Sequence, residues 1–104
     1  MNNQIQFEYK VEYCRHIYNM SKLIHLPNID KELEEKLISS GFSSPEILRE
    51  KGSRNVFVKI KSNDSSADFK MLLALEGAIQ GILCDELKES DVQELKVFME
   101  IFNR

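Results

Sequence analysis

The sequence, 104 residues long, has no apolar run near the ~20 residues that a membrane-spanning helix requires. Its first residues carry no basic stretch followed by an apolar one, so no secretory signal is expected. Charge of either sign is not in excess: 14 lysines and arginines against 17 aspartates and glutamates give a net charge of −3. A field that weak does not by itself drive binding to nucleic acid or to an anionic membrane. Cysteine and histidine are scarce. Cys14 and Cys84 lack ligand spacing, and without a signal both read as reduced thiols of a cytoplasmic protein. His16 and His25 are the only histidines, and Cys14-x-His16 falls short of the four ligands of a structural zinc site. There is no glycine-rich phosphate loop, no nucleophile elbow and no Ser/His/Asp set. The expectation is a protein with no catalytic residue, no metal and no cofactor, and therefore not an enzyme.

What is present suffices for one domain with a modest core. Residues 5–13 alternate strictly: Ile5, Phe7, Tyr9, Val11 and Tyr13 are apolar, with Gln6, Glu8, Lys10 and Glu12 between them. Period two predicts a strand. No second strand is evident, so its partner would be the same strand of another chain, giving a homodimer through residues 5–13. The competing reading is a helix over about 8–19 with Val11, Cys14, Ile17 and Tyr18 inward. Met20-Ser21-Lys22-Leu23 resembles a translation start. Residues 1–22 are therefore set apart as an N-terminal extension, of which 1–19 are either truly part of the protein or sequence upstream of the start, and 23–104 as the domain.

Helices are expected over 31–40, over a short segment opened by Ser44 and Pro45, over 67–81 and over 90–102. Pro27 and Asn28 predict a turn, and Asp30 an N-cap. Leu33, Leu37 and Ile38 should face the core, with Lys31, Glu34, Glu35 and Lys36 mostly opposite. Gly41 and Gly52 should stop helices, and Ser90 should cap the last one. In that helix Val92, Leu95, Phe98, Met99 and Phe102 form one stripe. Residues 52–61 read either as a β-branched strand or as a helix capped by Ser53. The run from Leu72 to Gly81 is unusual: Gly77 lies inside it, and a helix-interior glycine costs roughly 0.5–1 kcal/mol relative to alanine. Ala74, Gly77, Ala78 and Gly81 suggest a smooth face for close helix packing.

Taken in order, these pieces resemble a known family. Leu26-Pro27-Asn28-Ile29, Leu33-Glu34-Glu35-Lys36-Leu37, Gly41-Phe42, Pro45-Glu46-Ile47-Leu48-Arg49, Gly52-Ser53 and Leu75-Glu76-Gly77-Ala78 with Gly81 are similar to the C-terminal domain of the TfoX/Sxy competence regulators. The resemblance implies an all-α compact bundle of about five short helices with a helix-hairpin-helix or SAM-like first half. It also favours the helix over 52–61. It implies a link to DNA uptake and to the regulation of natural competence. Full-length regulators of that family carry a further N-terminal α+β domain, which this chain is too short to contain. Asp30 stands where the family often has glycine.

Three places carry candidate function. The hairpin turn Pro27-Asn28-Ile29-Asp30 can offer N–H groups to a phosphate, but the Asp30 carboxylate competes for that site, which favours a structural turn. Arg49, Lys51, Arg54, Lys59 and Lys61 face only Glu50 in their segment. They read as a solvated face, or as a contact for a partner or for nucleic acid. The acidic stretch from Asp85 to Glu100 can oppose such a patch across a protein contact. Glu76, among Leu73, Leu75 and Ala78, is a candidate buried carboxylate, read chiefly as a fold-specifying hydrogen bond. The function expected is an interaction module acting through a protein partner in bacterial regulation, with sequence-independent nucleic-acid binding as the alternative.

Overall fold

The computed structural model describes residues 22–103. The alternating segment 5–13, the competing helix 8–19 and the dimer through 5–13 lie outside the described residues. Residues 22–24 are helical and lead into the hairpin turn. The rest is α1 (Lys31–Ser39), α2 (Pro45–Lys51), α3 (Ser53–Asn63), α4 (Phe69–Gln80), a 3₁₀ turn (Cys84–Glu86) and α5 (Glu89–Phe102). No strand occurs among the described residues, and no helix of theirs is long and apolar enough to cross a membrane. The all-α bundle is what the family resemblance implied, and 52–61 falls in a helix, as that resemblance favoured.

Local chemistry sets the helix ends. Asp30 Oδ1 accepts the Leu33 N–H at 2.8 Å and opens α1. Ser44 Oγ accepts the Ile47 N–H at 3.2 Å, with Pro45 in the first turn of α2. Asp68 Oδ1 accepts from Met71 at 3.1 Å, so α4 starts at Phe69 rather than 67, with Ala67 buried outside the helix. Gly81 has φ +79°, the Ile82 N–H donates to Gly77 O at 2.9 Å and the Gly81 N–H to Ala78 O at 3.2 Å. This six-to-one and five-to-two pattern ends α4.

Two caps differ from expectation. Gly52, at φ +84°, is the whole connection between α2 and α3 and is the N-cap of α3, which leaves Ser53 inside the helix with its hydroxyl free for another role. Lys88, not Ser90, is the N-cap of α5. Buried Leu87 holds the chain just before it, so the helix begins one residue earlier.

The core runs through α3 and α4, the most extensively packed pair. Val56, Phe57 and Ile60 meet Leu72, Leu75 and Ala78, with Leu23, Leu37, Leu48 and Leu95 closing the ends. Each fully buried leucine or phenylalanine contributes about 1.5–3 kcal/mol. α1 departs from its expected faces. Glu34 is buried, because a residue one after Leu33 and three before Leu37 lies on the flank of the core stripe.

Lys36 turns toward the α3–α4 loop, where its ammonium donates to Asp64 Oδ2 and also pairs with Glu32 at 3.5 Å. The Lys36 ammonium, with the Ser66 hydroxyl and N–H, holds the Asp64 carboxyl down from 3.8 to about 2. The same hydrogen bond raises the Lys36 pKa above its ordinary 10.5. The lowered Asp64 pKa contributes stability that is complete well above 3.8 and is lost as pH falls toward about 2. The Lys36 part persists until pH rises past 10.5. The pair is a quarter exposed, so its effect is modest and salt-screened. Asp64→Asn removes the lowered carboxyl and its ion pair with Lys36. Thermal melts of wild type and variant should differ at pH 7 and converge near pH 2. A gap independent of pH would show that the pair does not contribute.

Candidate functional site

The hairpin turn and the glycine-bearing helix, far apart in sequence, form one contact. Asn28 takes a left-handed conformation, φ +69°. Its Nδ2 donates to Ile82 O at 2.9 Å and to Ala74 O at 3.4 Å, and its Oδ1 accepts the Cys84 N–H at 3.0 Å. One amide thus satisfies backbone groups on both sides of the α4 terminus. Gly77 makes room for it. A Cβ there would sit 2.5 Å from Asn28 Nδ2 and 2.8 Å from Ile82 O. The glycine signal in the sequence is therefore real, but its partner is a side-chain amide rather than a packed helix. Gly81 plays no part in that packing: a Cβ on it would meet nothing within 4 Å, and its positive φ serves the helix stop. Ala78 is buried in the core and Ala74 half-buried against it. Pro27 is half-buried and Ile29 buried, and Asp30 caps α1 with the carboxylate that a phosphate would have to displace. The turn is built as a clasp.

Glu76 is half-buried, and its partners are neither a backbone N–H nor a tyrosine. The Ser53 hydroxyl donates to Glu76 Oε1 at 2.6 Å, and Gln80 Nε2 donates to Oε2 at 2.6 Å. Gln80 Nε2 also reaches Asp91 Oδ2 at 3.2 Å. The chain Ser53–Glu76–Gln80–Asp91 ties the start of α3, the end of α4 and the start of α5 together. A cleft of about 470 Å³ opens beside Ser53 and Glu76, but both carboxylate oxygens already accept hydrogen bonds. Among the described residues, no three His, Cys, Asp or Glu side chains cluster as a metal ion would require.

The cations of the basic segment have different surroundings. Arg54 pairs with Glu94 of α5 at 3.6 Å. Lys61 Nζ donates to the carbonyls of Ser65 at 2.9 Å and Ala67 at 2.8 Å, which holds the α3–α4 loop. Arg49 and Lys51 are exposed in the last turn of α2, where cations complement the helix dipole, and Lys59 is exposed on α3.

A surface that the sequence reading passed over lies on α5. Leu95 of the expected stripe is buried, with Val92, Phe98 and Met99 half-buried beneath it. Phe102 is partly exposed, its ring stacked on Phe98 at 5.8 Å and set edge-on to Phe57 at 6.0 Å. Val97 and Ile101 point outward, 53% and 59% exposed, with Val58 of α3 also exposed. The signal was available: two branched apolar residues four apart on what should be the polar side of an amphipathic helix. Beside them Arg54, Gln93, Glu94, Val97 and Phe98 line an open cleft of about 440 Å³.

Comparison with known proteins agrees with the geometry. No curated protein matches the sequence. Solved structures do, among them two from Listeria monocytogenes. An uncharacterised protein in a triclinic crystal form shares 44% identity and a TM-score of 0.76, over 78% of this chain and 92% of its own. A protein of unknown function in a tetragonal form shares 43% identity and a TM-score of 0.73, over 80% and 98%. Residues 19–99 match the TfoX C-terminal domain family, a span that holds the hairpin clasp, Gly77 and the Ser53–Glu76 bond together, and the chain belongs to that family.

Proposed function

We propose that this domain is a non-enzymatic interaction module that acts in bacterial regulation through protein–protein contacts. The observation that carries this reading is the exposed α5 face. Val97 and Ile101 stay in water although the fold buries other apolar residues of the same helix. Exposed apolar groups grouped on one rigid face, rimmed by polar ones, are the usual mark of a docking surface. The cleft beside them is apolar-floored and shallow, which suits a side-chain anchor better than a small substrate.

The test places a photo-cross-linking residue at Val97 of the full chain, with Lys59 as the control position. A discrete cross-linked protein at Val97 that disappears with Ile101→Glu is the expected result. Equal labelling at both positions, or none at Val97, would overturn the reading.

The second reading, nucleic-acid contact, rests on Arg49, Lys51 and Lys59, which remain exposed. Three phosphate contacts imply weak binding with a salt slope of roughly −3 on duplex DNA. Fluorescence anisotropy of labelled DNA at low salt measures it. Loss of binding when these three become glutamate would favour this reading over the first.

A further inference from the structure

Among the described helices α5 is the longest and the least held. Of its 14 residues only Leu95 is buried, with Val92, Phe98 and Met99 half-buried. By contrast α4 buries Leu72, Leu75, Gly77 and Ala78, and α3 buries Ser53, Val56, Phe57 and Ile60. Apolar burial is what ties a helix to its neighbours, so α5 has the weakest hold for its length. Its N-cap, Lys88, gives it no side-chain hydrogen bond. Among the described residues its polar side-chain ties to the body are Asp91 with Gln80 at 3.2 Å and Glu94 with Arg54 at 3.6 Å. Both are open to solvent and add little.

The anchors sit toward its start: Leu87 is buried just before the helix, Asp91 lies in the first turn and Leu95 at the middle. Beyond Leu95 the hold is aromatic, with Phe102 edge-on to Phe57 and stacked on Phe98. From Arg54 to Phe57 α3 rises about 4.5 Å, whereas from Glu94 to Phe102 α5 rises about 12 Å. The two helices therefore cross rather than run alongside. Open clefts of about 440 and 470 Å³ adjoin the crossing, and Arg54 and Phe98 line both. Atoms that face a cleft lack packing partners on that side, so the α3–α5 contact is undercut.

We propose that α5 is a hinged strap, which opens as a unit on the connector from Gly81 to Leu87 while α1 to α4 stay folded. Gly81, at φ +79°, and the short 3₁₀ turn give the backbone its pivot. Opening lifts Phe102 off Phe57, which is wholly buried while the strap is closed, and joins the two clefts. The use of the strap rests on the interaction-module reading: Val97 and Ile101 ride on the element that moves, so opening switches the docking face between a seated and a released form. The opening itself does not depend on that reading.

Native-state hydrogen exchange of the full chain tests it, read at residues 94–99 of α5 and 72–78 of α4. The 94–99 amides should be at least about tenfold less protected and share one protection factor. Their exchange should depend less steeply on sub-denaturing urea, since releasing one helix exposes less surface than global unfolding. A mild core variant separates local from global opening. Ile60→Val lies in the α3 core that stays folded when the strap opens, so it should speed exchange at 72–78 by about fivefold and leave 94–99 unchanged. Equal protection of the two segments, protection that fades residue by residue from the C-terminal end, or equal acceleration of both in Ile60→Val would each overturn the proposal. A rigid α5 with the Val97 photo-cross-link intact sinks the strap and leaves the interaction-module reading. An α5 that opens while Val97 captures nothing upholds the strap and overturns that reading.

Discussion

Gly77→Ala is expected to destabilise the domain by about 2–4 kcal/mol and to lower its melting temperature by roughly 10–20 °C. The direction runs against helix propensity, which favours alanine over glycine by about 1 kcal/mol. Sterics outweigh it. The new methyl would lie 2.5 Å from Asn28 Nδ2 and 2.8 Å from Ile82 O. The carbonyl is backbone at the end of α4 and cannot swing aside. The amide is fixed by its bonds to Ile82, Ala74 and Cys84. Relief therefore means withdrawing Asn28 or opening the α4 terminus, and each adds about 1 kcal/mol per hydrogen bond lost to the overpacking. Thermal or urea unfolding measures this. A Gly77→Ala variant as stable as wild type would show that the clasp is loose. Gly81→Ala is the contrast: it meets no neighbour and should lose only the ~1 kcal/mol of an alanine forced to positive φ.

Asn28→Ala is expected to lose a similar 2–4 kcal/mol, for two separable reasons. It leaves Ile82 O and the Cys84 N–H without their partner. It also places a residue with a Cβ and no local polar compensation at φ +69°. Asn28→Gly keeps the conformation and drops only the hydrogen bonds, so it should recover about 1 kcal/mol of that loss. Asn28→Asp sets a carboxylate oxygen against the Ile82 carbonyl and should fall below Asn28→Gly at neutral pH. The combined Asn28→Gly, Gly77→Ala variant supplies the sharpest readout. With the amide gone, the alanine methyl loses its nearest clash, so the double variant should be more stable than the sum of the singles predicts. Strict additivity would separate the two residues and refute the clasp.

The sequence showed some of this plainly. The caps at Asp30 and Ser44, the stops at Gly41 and Gly52 and the faces of the long helices follow from rules that act within one or two turns. The caps missed were those where distant packing intervened. Leu87 is pulled into the core and starts α5 before Ser90, and Gly52 takes the capping position because two helices meet there with one residue between them. The candidate site was legible in pieces. Asn28 and Gly77 each stood out, but nothing local says that an amide 49 residues upstream fills the space beside a helix-interior glycine.

The basic segment shows the same dependence on distant partners. Five cations close in sequence read as a solvated face or as a contact, and two of them find partners in the fold, the still exposed Arg54 in Glu94 of α5 and Lys61 in loop carbonyls. Charge spacing along a chain does not say which charges find partners across it. Likewise Val97 and Ile101 were visible as apolar residues, but only the packing of α5 with Leu95 inward shows which side faces water. By itself, the sequence determined most helix boundaries to within a residue or two, because hydrophobic period, capping and turn chemistry are local, while the helical class came from the resemblance its motifs carry. The tertiary structure alone decided that the hairpin is clasped shut on α4, that Ser53 and Gln80 are the partners of Glu76 and that Val97 and Ile101 of α5 face water. Those outcomes depend on side chains that meet only once the helices have packed.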